Sequence, residues 1–403
     1  MSLNVLLLGT LTSEEQNKEF LAHGIRPAPA DIVQKYLLEG LSADERVGNL
    51  SAICSPRIPP CHKNNVKAVE SCSFKINRGE VESVGFLNLP AFGFAQREQR
   101  IVASAKKWAK SNKGKNTLVL IYSMHSPFLH AAKKIKDILP DATIALIVPD
   151  LPQYMGSGNA LKRFLKKIDR KKIDHYMKSV DKYVLYTKYM AEYFGLSDDQ
   201  WCVFEGTVDT SKIMPNKKSE PEKRICLYAG ALARIYALDK LIDSFEKANV
   251  DAELHLYGAP SDGEALIADH PNCKKTRYMG SLPQEEVFKK MREATLLVNP
   301  RPSDLELTKY SCPSKTFEYM ASGTPVLMTK LPGIPEEYHP HLYFFEGEDE
   351  EGFVSSFEKI LSLPIEELNE KARLAAEFLS ENKGATKQAK KILDSCIPNE
   401  RLK

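Results

Sequence analysis

Several features that would place this chain in a specialised class are missing from its sequence. The eight cysteines are scattered and never form a Cys-x-x-Cys pair. They therefore predict neither a zinc site nor a disulfide framework, and free thiols in a reducing cytoplasm are expected. No apolar run approaches the roughly 20 residues of a membrane-spanning helix. The N-terminus lacks the basic region and cleavage site of a signal peptide and is expected to begin a strand.

An excess of charge of one sign is missing as well. The 56 Lys and Arg residues nearly balance the 53 Asp and Glu residues, which leaves a net charge of +3. This value is too small to indicate a nucleic-acid partner. A hydrophobic fraction of 43% is that of a globular protein. The length of 403 residues exceeds one ordinary core and suits two domains.

Short apolar strands alternate with amphipathic helices, which predicts parallel α/β layers. Strands are predicted at 5–9, 117–122, 143–148, 183–187, 201–205, 224–230, 254–258, 296–299 and 326–328. Helices are predicted at 30–41, 128–139, 238–248, 284–293 and 351–362, with one long helix at 367–393. Segment 212–223 is rich in Lys, Pro, Ser and Glu and is read as a linker. Two doubly wound domains joined by a linker predict a ligand cleft between the carboxyl ends of their strands.

The segment 310–326 carries the most specific signal, because it reads as a loop, a short helix and a buried strand. Pro313 suits the first helical turn, where its missing N–H costs nothing. Ser314 and Lys315 follow, so that free N–H groups, a hydroxyl and a cation lie at the positive end of a helix, which favours anions. Glu318 lies one turn further along and is positioned to accept hydrogen bonds from sugar hydroxyls. The segment predicts a site for a diphosphate and its ribose.

This run, continued by Glu-Tyr-Met-Ala-Ser-Gly-x-Pro-Val, resembles the nucleotide-sugar signature of the retaining glycosyltransferases of family 4, the glycosyl transferases group 1. In many members of that family, two glutamates are separated by seven residues. Glu318 matches the second glutamate, whereas Tyr310 stands at the position of the first. An ordinary capped helix packed on a sheet is the alternative interpretation of the helix start alone.

The resemblance implies the α/β fold class and the GT-B fold, in which two Rossmann-like domains face each other across a cleft. Residues 1–210 are expected to form an acceptor-binding domain, and residues 211–375 a nucleotide-sugar-binding domain. A helix in residues 376–403 is expected to cross back to the first domain.

Further candidates for the donor site follow strands in the second half. Gly230 would let the backbone approach a phosphate closely. The family places an Arg and a Lys after this glycine, but Ala231 and Tyr236 occupy those positions here. Arg234 and Arg301 are the candidate replacements, and a plain surface arginine would explain each of them equally well.

Gly258 ends another strand and lets the chain turn close to the nucleotide. Tyr278 lies in a segment that resembles the one whose backbone reads the base edge in family members, although a tight turn also explains that segment. A UDP-sugar is the favoured donor and a GDP-sugar the alternative. No cofactor or metal is expected, because a helix N-terminus can stabilise the departing diphosphate.

The acceptor side is less defined. His125 lies at a strand-to-helix turn, where a catalytic role and a structural role are equally open. Asp150 ends a strand at which many family members carry His-Asp, and Pro149 replaces the histidine. A carboxylate there can bind a sugar hydroxyl or accept a proton. Pro152 and Tyr154 are candidates for stacking on a sugar face.

Segment 161–178 has apolar residues at near-helical spacing and eight Lys or Arg residues. Such a helix either lies on an anionic membrane or is a solvated helix packed on its own domain. The first case would bring the protein to the inner face of the membrane and suit a lipid-linked acceptor.

These observations predict a cytoplasmic glycosyltransferase that moves a hexose from a nucleotide diphosphate sugar to a sugar or lipid-linked glycan. The family implies retention of configuration, and polysaccharide, exopolysaccharide or capsule biosynthesis is the expected setting. The residues missing from the motifs leave two alternatives open. One is a catalytically impaired sugar-nucleotide-binding protein, and the other is a different GT-B enzyme such as an epimerase or a phosphorylase.

Overall fold

A computed structural model describes residues 2–26, 29–89, 92–151, 160–213, 218–312 and 314–397. The chain divides into two compact units. The first consists of Met1–Thr207 with Ala385–Lys403, and the second of Val208–Gly384. The α/β class predicted from the alternation of strands and helices is confirmed.

The first unit contains an eight-stranded sheet and a small antiparallel pair. Its strands are β1 (Leu3–Gly9), β2 (Val47–Cys54), β3 (Ala68–Val69), β4 (Cys72–Ile76), β5 (Gly79–Ser83), β6 (Phe86–Leu87), β7 (Thr117–Tyr122), β8 (Thr143–Val148), β9 (Lys182–Leu185) and β10 (Trp201–Val203). The sheet order is β10-β9-β8-β7-β1-β2-β5-β4, with only β4 antiparallel to its neighbour, and β3 pairs with β6. The helices are α1 (Glu14–Ala22), α2 (Pro29–Ala43), α3 (Phe92–Ser111), α4 (Ser126–Ile138), α5 (Ala160–Met177) and α6 (Tyr189–Phe194).

The strands β1, β7 and β8 are buried at every residue. Such continuous apolar runs are typical of parallel strands that helices cover on both faces. Leu8 of β1 pairs with Ile53 of β2 and with Ile121 of β7. The carboxyl ends of these neighbouring strands consequently lie along one edge of the sheet.

The second unit contains a six-stranded, fully parallel sheet in the order β13-β12-β11-β14-β15-β16. Its strands are β11 (Arg224–Ala229), β12 (Ala252–Tyr257), β13 (Thr276–Tyr278), β14 (Leu296–Asn299), β15 (Val326–Met328) and β16 (Tyr343–Phe344). Its helices are α7 (Leu238–Lys247), α8 (Pro260–Ala268), α9 (Gln284–Glu293), α10 (Glu306–Lys309), α11 (Ser314–Ala321), α12 (Glu350–Leu361) and α13 (Ile365–Asn382). Alternate residues of β11 enter two separate hydrophobic clusters, with Cys226 and Tyr228 in one and Leu227 and Ala229 in the other. Both faces of this sheet are therefore covered.

The single helix expected at 367–393 is wrong. Helix α13 ends at Asn382, and a separate helix, α14, spans Ala385–Cys396. Between them, Lys383 is only 2% exposed, and its carbonyl oxygen accepts a hydrogen bond from the Val208 N–H. The backbone leaves the helical path at Lys383, which has a φ of −120° and a ψ of 7°. The second unit accordingly extends to Gly384 and not to residue 375.

Helix α14 packs on α2 within the first unit. Ile392 and Leu393 share a buried cluster with Leu37 and Leu41 of α2. The two helices approach so closely that a Cβ at Gly40 would overlap the carbonyl group of Ala385. The apolar face of α14 therefore packs on helix α2 of the first unit.

The basic segment is helical from residue 160, and its side chains are described from residue 167. Ile173 is buried, and the ring of Tyr176 stacks on His130 of α4 with centroids 4.7 Å apart. Lys167 and Lys171 are exposed. This half of the helix packs on its own unit and presents its lysines to solvent. Within the described ranges, no helix is long and apolar enough to cross a membrane.

Candidate functional site

A lysine amine lies over the turn that follows β11. A Cβ at Gly230 would overlap Nζ and Cε of Lys315, the second residue of α11. Gly230 has a φ of 146°, which side chains rarely adopt, so this turn requires glycine for both space and conformation. The Lys315 Nζ donates a 3.0 Å hydrogen bond to the Tyr228 hydroxyl and lies 4.4 Å from the centroid of that ring. The missing side chain at Gly230 therefore admits a cation to the carboxyl end of β11.

The fully buried Tyr319 of helix α11 forms hydrogen bonds to strand β11. The Tyr319 hydroxyl accepts a 2.9 Å hydrogen bond from the Ala229 N–H and donates a 3.2 Å bond to the Ala229 carbonyl oxygen. Lys315 lies one turn before Tyr319 on the same helix. This double hydrogen bond therefore fixes the position of the lysine relative to Gly230.

Lys315 is half-buried, and burial lowers its pKa to about 8. The charge of Glu318 raises this pKa, whereas the charge of Arg301 lowers it further. Glu318 lies one turn along α11 and is exposed, while neighbouring protein atoms dehydrate its carboxyl group and raise its pKa against the effect of Lys315. Within the described ranges, no carboxylate forms an ion pair with Lys315. An added anion would stabilise the charged form of this amine.

Arg301 follows β14 and provides a second cation near Lys315. Its guanidinium lies 5.7 Å from the centroid of the Tyr236 ring, and its Nη2 is 3.5 Å from the Ser311 hydroxyl. Its Nε is buried and has no hydrogen-bond partner in the described part of the chain. Burial lowers the pKa of Arg301, an effect that Tyr236 and Tyr228 oppose.

Arg234, the other candidate cation, is placed differently. Its side chain is 57% exposed and pairs with two carboxylates, at 3.1 Å from Asp239 and in a close contact with Asp269. These acids already neutralise the arginine. Of the two candidates, the structure therefore brings Arg301, and not Arg234, into the group around Lys315.

The remaining donor-side candidates support the neighbouring turns. Gly258 lies so close to Gly230 that a Cβ on it would overlap the Gly230 carbonyl oxygen. The Tyr278 hydroxyl donates a 3.1 Å hydrogen bond to the Gly258 carbonyl oxygen. Tyr310 is half-buried at the end of α10. Helix α11 begins at Ser314. The side chain of that serine, and Pro313, lie outside the described residues.

In the first unit, His125 precedes α4 and is half-buried. Its ring contacts Phe94 edge-on at 6.0 Å and Phe128 at 5.2 Å. Its Nδ1 is buried and has no hydrogen-bond partner among the described residues. Burial, together with the charges of Arg97 and Arg57, lowers the pKa of His125 well below its usual range. The imidazole is therefore neutral near pH 7.

Asp150 follows β8, which pairs with β7, so it lies on the same sheet edge as His125. The residue is exposed, but neighbouring protein atoms dehydrate its carboxyl group and raise its pKa against the charge of Arg57. Pro152 and Tyr154 lie outside the described residues. His125 and Asp150 thus lie on one edge of the sheet, and the charge of Arg57 acts on the pKa of both side chains.

A match to a known protein family lies within the second unit. Residues 223–362 match the family model described as glycosyl transferases group 1. This range contains the turn at Gly230, the strand before Arg301 and the whole of α11. Residues 223–362 of the chain therefore belong to the glycosyl transferases group 1. No curated protein matches the sequence closely enough to add to this result.

Solved structures match this chain over nearly its whole length, each at 12% identity, which shows the fold alone. HepE from Anabaena in complex with UDP has a TM-score of 0.61 and covers 97% of this chain and 99% of its own. Sucrose-phosphate synthase from Thermosynechococcus elongatus has a TM-score of 0.64, with coverages of 96% and 97%. The lipopolysaccharide outer core galactosyltransferase WaaB has a TM-score of 0.63, with coverages of 97% and 98%. The predicted GT-B fold is confirmed.

Three residues that shape these sites were not assigned a role from the sequence. Tyr228 and Tyr319 position Lys315, and Arg97 acts on His125 from α3. Both tyrosines occur within the motifs around Gly230 and Glu318. Their hydroxyl groups were the feature of the sequence that could have indicated a role in positioning Lys315. The described part of the chain contains no group of three or more His, Cys, Asp or Glu side chains arranged to hold a metal ion.

Proposed function

We propose that this glycosyltransferase uses a nucleotide diphosphate sugar, with a UDP-sugar favoured, and transfers its hexose to a sugar or lipid-linked glycan with retention of configuration. The observation that carries the proposal is the amine of Lys315 over Gly230, with Arg301 nearby. Neither cation forms an ion pair with a carboxylate in the described ranges. A diphosphate is the ligand whose charge suits two such cations at adjacent strand ends.

The structures of HepE in complex with UDP and with UDP-glucose support the choice of base and sugar class. Because those proteins share only 12% of residues with this chain, a GDP-sugar remains the alternative to be tested beside UDP. In the proposed complex, Glu318 accepts hydrogen bonds from the ribose hydroxyls. The N–H groups of the first turn of α11 and the Lys315 amine are proposed to donate hydrogen bonds to the diphosphate.

The proposed reaction breaks the bond between the anomeric carbon and the diphosphate oxygen and forms one between that carbon and the acceptor oxygen. Lys315 and Arg301 stabilise the negative charge that develops on the leaving diphosphate. The acceptor hydroxyl attacks from the face that the diphosphate leaves, and its proton passes to a leaving phosphate oxygen. His125 and Asp150 are proposed to orient the acceptor. This sequence of events retains the anomeric configuration.

A catalytically impaired donor-binding protein is the second candidate, because Tyr310 and Pro149 stand where the family carries a glutamate and a histidine. An active enzyme hydrolyses its donor slowly even without an acceptor, whereas a pure binder does not. Release of UDP from UDP-glucose, followed over hours, separates these two candidates. A sugar-nucleotide epimerase would instead convert the donor into its epimer without releasing UDP.

The deciding experiment is calorimetric titration with UDP and GDP of the wild type and the Lys315→Met, Arg301→Lys and Arg234→Gln variants. Lys289→Met removes an exposed lysine of α9 and is the matched control. We expect one nucleotide to bind, with about tenfold or greater weakening in Lys315→Met because a charge-assisted hydrogen bond is lost. Arg301→Lys should weaken binding as well, while Arg234→Gln and Lys289→Met should not. If neither nucleotide binds the folded wild type, the donor proposal is wrong.

A further inference from the structure

A second basic group lies at the carboxyl edge of the sheet in the first unit. Arg97 of α3 is only 7% exposed. Its Nε donates a 2.8 Å hydrogen bond to the Ser55 hydroxyl, and its Nη2 donates a 2.6 Å bond to the Ser55 carbonyl oxygen. Ser55 follows β2 directly, and its own hydroxyl donates to the Val84 carbonyl oxygen at 3.1 Å. The guanidinium is therefore held in a fixed place at the strand end.

No carboxylate offsets the charge of Arg97 in the described ranges. Burial lowers its pKa to about 10, and the only charge that acts on it there is the positive charge of Arg57. The neighbouring Glu98 is engaged elsewhere, with His130 at 2.7 Å and Lys172 at 3.5 Å. A buried cation without a counterion is costly for the folded state. Such groups often mark functional sites, where a ligand can supply the missing charge.

His125 lies beside this arginine. Phe94 precedes Arg97 by one helical turn, so both side chains leave the same face of α3, and Phe94 contacts the His125 ring edge-on. The strands before Ser55 and His125 both pair with β1, which brings their carboxyl ends to one edge. The buried Nδ1 of His125 has no hydrogen-bond partner among the described residues. Arg57 lies two residues after Ser55, and its charge acts on both Arg97 and His125. Three groups able to donate to an anion, on Arg57, Arg97 and His125, therefore lie at this edge.

We propose that Arg57, Arg97 and His125 bind a phosphate or diphosphate group carried by the acceptor. The inference rests on the proposed function in one respect, namely that the ligand of the first unit is the acceptor. Arginine has five N–H donors, of which Ser55 occupies two, so Arg97 retains donors for a phosphate. Neutral His125 contributes a ring N–H. Asp150, the acid on the same edge, is exposed and can orient the acceptor hydroxyl beside the anion.

The phosphate can come from a soluble sugar phosphate or from the diphosphate of an isoprenoid-linked glycan. Exposed apolar side chains flank the arginine at the end of β6 and the start of α3. They are Leu87, Leu89, Phe92 and Phe94. An isoprenoid chain would find apolar contacts there, whereas a sugar phosphate would not need them. The two sources are separated by comparing ligands with and without a short isoprenoid chain.

The test is calorimetric titration of the full-length enzyme saturated with UDP, so that the donor site is occupied. Glucose 6-phosphate is compared with glucose, and geranyl diphosphate with inorganic pyrophosphate. The variants are Arg57→Gln and Arg97→Lys, with Lys75→Gln as a control that removes an exposed lysine of β4. Arg57 is exposed, so its replacement leaves the core intact. We expect Arg57→Gln and Arg97→Lys to weaken anion binding about tenfold and Lys75→Gln to have no effect.

Tighter binding of glucose 6-phosphate than of glucose would identify a phosphosugar acceptor, and tighter binding of geranyl diphosphate than of pyrophosphate would identify a lipid-linked one. The proposal is wrong if no anion binds, or if both arginine variants bind anions like the wild type. If UDP fails to bind, the donor proposal fails separately. The same titrations on Lys315→Met without UDP then test the first unit alone.

Discussion

Replacing Gly230 by alanine tests the close approach of the Lys315 amine to the backbone of Gly230 in the proposed donor site. The new Cβ would overlap the Nζ and Cε of Lys315 and so displace the amine from the end of β11. The overlapping atoms belong to the far end of a flexible side chain, which can move away. The φ of 146° adds backbone strain of about 1–3 kcal/mol in the folded state. We therefore expect a moderate loss of stability and a larger loss of donor binding.

The size of the binding effect follows from the hydrogen bond that Lys315 would make to the diphosphate. A charge-assisted hydrogen bond contributes about 1.5–3 kcal/mol, so its loss weakens UDP binding about 10- to 150-fold. Gly114→Ala is the matched control. Gly114 has a φ of 77° and open space around its Cβ position, so this variant introduces strain without touching the site.

Calorimetric titration with UDP of the wild type, Gly230→Ala, Lys315→Ala and the double variant completes a thermodynamic cycle. If the added Cβ acts by displacing the lysine, Gly230→Ala costs little further affinity once the lysine is gone. The double variant should then bind UDP about as weakly as Lys315→Ala. Additive losses in the double variant, or wild-type affinity in Gly230→Ala, would refute the reasoning.

Three other predictions follow from the same structure. Since burial lowers the pKa of Lys315 to about 8, the amine loses its charge as the pH rises through that value. UDP affinity should fall over this range in the wild type but stay level in Lys315→Arg, as pH-dependent titration would show. Tyr319→Phe removes both hydrogen bonds to Ala229 and should lower stability in urea unfolding by about 1–3 kcal/mol. Gly40→Ala should also destabilise, by about 1–3 kcal/mol, because its Cβ overlaps Ala385. Helix propensity alone would make that change stabilising, so a higher melting temperature would contradict the described packing.

Several elements of the second unit were predicted correctly because their signals are local. The strands at 296–299 and 326–328 and the helix at 284–293 have the predicted bounds, since each is a short run of one periodicity between turn residues. The short helix expected in segment 310–326 is present as α11, whereas the place of Pro313 in its first turn stays a prediction. By contrast, the local sequence does not show which of Arg234 and Arg301 lies near Lys315. The difference lies in Asp239 and Asp269, which neutralise Arg234 from other elements.

The first unit was harder to predict from its sequence. Helix α3 was not predicted, because charged residues interrupt its apolar stripe and two of its buried side chains, Arg97 and Glu98, are themselves charged. The strands β4 and β5 alternate in burial, but both are short and lie at one edge of the sheet. In the second unit, the unpredicted break after α13 coincides with a hydrogen bond between Val208 and Lys383, residues far apart in the sequence. Such contacts are tertiary and leave no local pattern.

The packing of α14 on α2 has a consequence for synthesis on the ribosome. The apolar surface around Leu37 and Leu41 is made early, whereas Ile392 and Leu393, which cover it, follow after the whole second unit. Until those last residues emerge, the nascent first unit exposes part of its core. Its folding is therefore completed only late in synthesis, and chaperones must protect the exposed apolar surface until then. A ribosome that stops before residue 385 would release a chain prone to aggregation, even though both sheets have been translated.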